Sequence, residues 1–231
     1  MNEVIILDVH FQFGEVSDIV HPVVLKDDKH LILIDCGYTG FLPIIEKSME
    51  DQGLRCKDLT HVVITHQDHD HMGALSALKE KYPKVQIVAS ALEAPYISGK
   101  LNSLRLEQAE TMQERLPLEQ KAFGQAFCRI LKAVQPAPVD LEVCDGDSFD
   151  WCGGCTIVGT PGHTPGHISL FLEDQKIMIT GDAAVMEHEN LVVANPQYAL
   201  NLAMAEESLA KIQAFGAKQF ICYHGGVLTS S

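Results

Sequence analysis

Apolar residues in the first third of the chain come in short runs rather than long helical stripes. Val4 to Val9, Ile19 to Leu25 and Leu31 to Ile34 are apolar or alternate with polar positions, the pattern of strands. The polar stretch Lys26-Asp27-Asp28-Lys29-His30 between the last two predicts a hairpin. Leu42 to Met49 has helical spacing, with Gly53 as its stop. Val62 to Thr65 and Gln86 to Ala89 read as further strands, separated by a helix from Gly73 to about Tyr82-Pro83.

The texture changes between Ala94 and Val134. Leu, Gln, Glu and Arg dominate, with helix formers at Leu104 to Arg115 and Leu118 to Val134. Pro136-Ala137-Pro138 closes the segment. We read residues 94–135 as a helical cap inserted into a single domain spanning 1–231; two ordinary connecting helices are the plainer alternative. Strands then return at Asp140 to Val143, Thr156 to Gly159, Ile168 to Leu172 and Lys176 to Ile179. An amphipathic helix over Asn201 to Phe215 precedes a last strand, Lys218 to Cys222. Strands and helices in this order, twice over, predict an α/β fold.

The run from His66 to His71 holds five side chains of metal-ligand type, His66, Asp68, His69, Asp70 and His71. It lies between a predicted strand and a predicted helix, where open α/β sheets place their chemistry. Carboxylates and imidazoles crowded this closely call for a counter-charge, and a divalent cation is the simplest one. His163 in Thr160–His167, Asp182 after Thr180-Gly181, and His224 before Gly225-Gly226 each follow another predicted strand. Any one of these is ordinary. Together they put ligand-type residues at four strand ends on one expected edge.

Composition narrows the function. The chain has 231 residues, 46% of them hydrophobic and 21% charged, enough for one well-filled domain. Its net charge is -14, with 31 acidic and 17 basic residues and no Lys/Arg cluster, which argues against nucleic acid as a partner and for a small-molecule substrate. No apolar run is long enough for a membrane span, and the acidic N-terminus does not resemble a secretory leader. Seven irregularly spaced cysteines fit a reduced, cytoplasmic protein with buried thiols. Cys152-Gly153-Gly154-Cys155 reads as a hairpin turn rather than as a redox or zinc pair.

Asp35-Cys36-Gly37, Thr65 to Gly73, Gly162-His163-Thr164-Pro165-Gly166-His167, Gly181-Asp182 and His224-Gly225 resemble, in order, the motif series of the metallo-β-lactamase superfamily. The resemblance runs from about Pro22 to Gly226. It implies a four-layer αββα sandwich with a dinuclear metal site at one edge. Carried over, it assigns His66, Asp68 and His163 to one cation, Asp70, His71 and His224 to the other, and Asp182 to a bridge. Asp35 would orient the site from behind. His167 matches a motif histidine that is not usually a ligand, and packs or hydrogen-bonds instead.

Position 68 departs from the family's commoner histidine. A subgroup with T-H-Q-D-x-D-H, followed by Pro-Tyr-Ile as in Pro95-Tyr96-Ile97, resembles this chain. Three readings stay open: Asp68 replaces the histidine as a ligand, which we take first; His69 swings in; or the first site is weak and one cation is held. Three aspartates and a hydroxide would nearly neutralise two divalent cations. That predicts weaker Lewis acidity and a site that admits Mn or Fe beside Zn. The implied reaction is attack of a metal-bridging hydroxide on an ester, lactone or thioester carbonyl, with Asp70 orienting it and passing a proton to the leaving group. Tyr96 and Tyr198 are candidates to hold a substrate oxygen, against a plainer role in aromatic packing. An iron-dependent oxidoreductase of the same fold and a non-enzymatic metal-binding protein are the alternatives. An exposed apolar cap face would point to a homodimer.

Overall fold

The structure is a computed structural model and describes residues 2–13 and 16–229. In chain order its strands are β1 (Glu3–Ile6), β2 (Val9–Phe13), β3 (Val16–Val20), β4 (Val23–Lys26), β5 (Leu31–Ile34), β6 (His61–Ile64), β7 (Gln86–Ser90), β8 (Leu141–Val143), β9 (Ser148–Phe149), β10 (Cys155–Gly159), β11 (Ile168–Leu172), β12 (Ile177–Ile179), β13 (Val185–Glu187), β14 (Asn190–Val192), β15 (Gln219–Cys222) and β16 (Gly226–Thr229). The helices are α1 (Leu42–Asp51), α2 (His69–Met72), α3 (Leu75–Lys81), α4 (Ala94–Ile97), α5 (Leu104–Arg115), α6 (Lys121–Ala133) and α7 (Leu202–Gln213). Two six-stranded sheets follow, in the orders β1-β4-β5-β6-β7-β8 and β16-β15-β12-β11-β10-β9.

Side-chain alternation explains the layering. In β5, Ile32 and Ile34 point between the sheets, whereas Leu31 and Leu33 point outward, and all four are buried. A strand covered on both faces reads as an unbroken apolar run, which is why it was visible in the sequence. Between the sheets, Leu25, Ile34, Val63 and Val88 meet Ile157, Leu170, Leu172 and Ile179. Outside the first sheet, Leu33, Val62 and Ile87 pack on Ile45, Met49, Leu75 and Leu78 of α1 and α3. Outside the second, Val158, Phe171 and Phe220 cover Ile212 of α7. The order is helix, sheet, sheet, helix, as expected.

Three local differences bear on the site. The run Val4 to Val9 breaks at Leu7-Asp8, and the Leu7 N–H donates to the Pro22 carbonyl at 2.9 Å. The run Ile19 to Leu25 breaks at His21-Pro22, where Pro22 has no N–H to offer a ladder. The chain between these breaks forms the β2–β3 hairpin, with Val9 opposite Val20. Its Phe11 packs on Tyr38 and Phe41. The β13–β14 hairpin and β16 were not anticipated. Gly153-Gly154 does turn the chain between β9 and β10, with Phe149 opposite Cys155, and all seven cysteines are free thiols.

Helices α4, α5 and α6 fill the connection from β7 to β8. Ser103 starts α5 by accepting the Leu106 N–H on its hydroxyl at 3.3 Å. Leu118 and Phe123 of this segment are exposed.

Candidate metal centre

The strand directions bring the ligand-type residues together. β5 and β6 are parallel, and so are β12 and β15. β10 is antiparallel to β11, which is antiparallel to β12, so β10 runs the same way as β12. The C-terminal ends of β5, β6, β10, β12 and β15 carry Asp35, the His66–His71 loop, the His163 loop, Asp182 and His224. The Ile168 N–H donates to the Thr65 carbonyl at 3.1 Å, joining the two sheets at this edge.

Three groups of side chains there each offer ligand atoms within 4.8 Å of one another: His66, Asp68 and His163; His66, His71 and Asp182; Asp70, His71 and His224. His163 Nε2 lies 3.0 Å from Asp68 Oδ2, and His71 Nε2 lies 3.3 Å from Asp182 Oδ1. His224 Nε2 is 3.2 Å from Asp70 Oδ2 and 3.7 Å from Asp182 Oδ1. His66 Nε2 and Asp68 Oδ1 are buried without a hydrogen-bond partner, and His71 Nε2 and Asp182 Oδ1, likewise without a hydrogen bond, face each other at 3.3 Å as an ion pair only. Buried polar atoms are seldom left so, and four in one cluster fit a cation as the missing partner. His69 belongs to none of the three groups; its ring packs between Tyr38 and Phe127 at 5.3 and 5.5 Å.

The electrostatics agree. Burial opposes ionisation of Asp68, but the Arg105 guanidinium and the His163 and His66 imidazoles outweigh it and hold the carboxyl well below its usual range. Asp182 is likewise held down against burial by His71 and His224. Burial disfavours the imidazolium of His71, yet the carboxylates of Asp182, Asp35 and Asp70 raise its pKa. His163 and His224 are raised in the same way by Asp182 and by Asp68 or Asp70.

The supporting residues divide into those foreseen and those missed. Asp35 accepts the Thr65 N–H at 2.9 Å and the Thr65 hydroxyl at 2.8 Å, and its Oδ2 lies 2.8 Å from His71 Nδ1. That bond fixes the His71 ring with Nε2 toward the cluster. His167 Nε2 accepts the Asp182 N–H at 2.9 Å, which leaves Nδ1 as the protonated nitrogen facing Thr160 Oγ1 at 2.8 Å. Burial and the nearby His66 and His163 keep it neutral. Both its nitrogens are used, so it orients Asp182 and offers no lone pair to a cation.

Glu93 was not foreseen. It is fully buried, and its two oxygens accept the Gln67 N–H at 2.9 Å and the Gly166 N–H at 2.8 Å. It thereby clamps the loop after β6 to the loop after β10. Gln67 in turn accepts the Leu104 N–H at 2.9 Å, at the start of α5. Arg105 was also missed. It donates to Asp68 Oδ2 through Nε at 2.9 Å and Nη2 at 2.6 Å. One sequence signal existed: a cation in a helix's first turn opposes the helix dipole and asks for a nearby carboxylate.

A cavity of about 270 Å3 opens over the cluster, lined by Asp70, Arg105, Tyr38, Phe127 and Tyr198 among others. Tyr198, one of the two candidate tyrosines, is among these lining residues. Tyr96 lines a neighbouring cavity with Gln67, His69 and Met72 instead. Tyr38 takes its place beside the cluster.

The family model described as the Metallo-beta-lactamase superfamily matches residues 18–214. The chain belongs to this superfamily. It is 28% identical over 225 residues to the Probable metallo-hydrolase YflN of Bacillus subtilis (strain 168), covering 91% of this chain and 81% of that protein. A Hydroxyacylglutathione hydrolase of Rhodospirillum rubrum is 22% identical over 168 residues, 71% of this chain and 50% of its own length. The crystal structure of the metallo-beta-lactamase family protein TTHA1429 from Thermus thermophilus superposes with a TM-score of 0.74 at 20% identity, covering 98% of this chain and 75% of that one. The superfamily's fold is the two-sheet arrangement described above.

Proposed function

We propose that the chain hydrolyses an ester, lactone or thioester of a small molecule. In this reading His66, Asp68 and His163 hold one divalent cation, Asp70, His71 and His224 hold a second, and Asp182 lies between them. The chain is a metallo-hydrolase of its superfamily. The observation that carries the reading is the set of buried atoms without a hydrogen bond on His66, His71, Asp68 and Asp182. Each such atom costs about 1–3 kcal/mol if left unsatisfied. Bound there, the cations would supply Lewis acidity and an activated water.

The chain's own residues account for the rest. Asp70 faces the cavity, and the imidazoles of His71, His69 and His224 overcome burial to keep it ionised. In this reading it would orient the water and relay its proton to a leaving group. Tyr38 stays a phenol donor, because burial and the carboxylates of Asp70, Asp18 and Asp182 raise its pKa. Tyr38 and Tyr198 are the groups that would hold a substrate oxygen. Residues 94–135 act as a cap, with Arg105 and Phe127 forming part of the cavity wall. The thioester option draws on the name of the Rhodospirillum relative. The oxygen-rich ligand set admits Mn or Fe as well as Zn.

The test is a panel of ester, lactone and thioester substrates offered to protein loaded with each metal. Turnover of at least one class is expected, and Asp68→Ala should lose one metal equivalent and about 10- to 100-fold in activity. Undiminished metal content in that variant would remove Asp68 from the ligand set. Failure of the loaded protein on all three classes would sink the proposed bond type.

A further inference from the structure

Arg105 brings a cation of the protein's own into this centre. It sits in the first turn of α5 and is only 3% exposed. Four of its five N–H groups donate to oxygen acceptors, and the fifth points at His163. Nε and Nη2 donate to Asp68 Oδ2 at 2.9 and 2.6 Å. The other Nη2 hydrogen faces His163 Nε2 at 3.1 Å. Nη1 donates to Gln108 Oε1 at 2.5 Å and to the Tyr198 carbonyl. With four donors committed to protein oxygens and the fifth directed at His163, a role as an anion-binding arm does not fit.

What Arg105 does touch is informative. Asp68 Oδ2 lies 3.6 Å from His66 Nε2 and 3.0 Å from His163 Nε2, inside the group those three residues form, so Arg105 leaves Asp68 only its Oδ1 without a partner. A guanidinium 3.1 Å from His163 Nε2 stands where that nitrogen would meet a metal ion, and two cations repel at such a distance. Among the described residues, no lysine or arginine pairs with Asp70, His71, His224 or Asp182. The two halves of the centre are thus unequal: one has a resident cation and the other has none.

We propose that Arg105 competes with the first cation for Asp68 and His163, so that the site of Asp70, His71 and His224 fills first and the site of Asp68 fills weakly. The inference rests on the two-cation reading above. Filling the first site requires the guanidinium to give up His163, which loosens α5 at its N-terminus. Asp68 and Arg105 together are formally neutral, like the histidine more common at this position. Arg105 thus adds one positive charge to the count made from Asp68 alone.

Calorimetry with Zn2+ or Mn2+ added to metal-free, full-length protein tests this. Wild-type protein should bind one tight equivalent and a second at least about tenfold weaker, and R105Q should tighten the second by about tenfold or more. Two equivalents of equal affinity in the wild type, or a second class unchanged in R105Q, overturns the proposal. R105Q leaves Asp68 buried without its partner, so a measurement on the wild type stands beside it. The second equivalent should speed amide exchange over Leu104 to Gln108; unchanged or slowed exchange there also overturns the proposal. Binding of no metal at all is a different result, and it removes the two-cation reading itself.

Discussion

Asp35 shows how a single residue sets the chemistry of another. Its φ is 59°, in the left-handed region, and that conformation turns the carboxylate back onto Thr65 and His71. Asn tolerates the same backbone, so Asp35→Asn separates charge from shape. We expect the variant to fold and to lose about 10- to 100-fold in metal affinity, read by competition with a chromophoric chelator. Affinity equal to wild type would show that His71 needs no orienting carboxylate. Asp35 was singled out in the sequence because Asp35-Cys36-Gly37 matches a motif of the superfamily. Glu93 and Arg105 were not, because they act on Gln67 and Asp68 from 26 and 37 residues away. Neither lies in a motif; tertiary folding alone brings them to the loop.

Between elements, the clamp made by Glu93 matters most. It opens α4 and holds the loops that follow β6 and β10, one from each sheet. Glu93→Gln would turn an amide N–H toward one of two backbone N–H groups. The lost bond costs about 1–3 kcal/mol, and each kcal/mol lowers Tm by roughly 2–4 °C for a chain of this size. A thermal melt that did not move would falsify the clamp. The buried strands were legible because both sheets are covered on both faces. The β13–β14 hairpin was not. It turns through His188 and Glu189, with φ of 47° and 65°, rather than through the Asn-Gly pair that usually announces such a turn. Gly73 is legible only in hindsight: a side chain there would collide with the backbone of Thr39 and His69 where the loop after β6 passes the loop after β5.

Across the whole molecule, the centre couples folding to pH in two opposite senses. The imidazoles of His71, His163 and His224 are raised by neighbouring carboxylates in the metal-free fold. A raised value means stabilisation that is present below the unfolded pKa, about 6.5, and lost as pH rises through the folded one. Asp68 and Asp182 are depressed, so their contribution is present above about 3.9 and is lost as pH falls through the folded values. Metal-free protein should therefore lose Tm on going alkaline, whereas metal-loaded protein should not, and metal uptake should release protons into a weakly buffered solution. A metal-free Tm that is flat or rising above neutral pH would contradict this. The same division of the centre between two sheets has a consequence for how the protein is made. Asp70 and His224 stand 154 residues apart, with the helical segment and most of the second sheet between them. A growing chain exposes its N-terminal part first, so the loop of His66 to His71 emerges long before its partners. No complete site exists to recruit a metal ion at that stage. Under the proposed ligand set, a cation completes its coordination only after His163 and His224 have been made, late in synthesis.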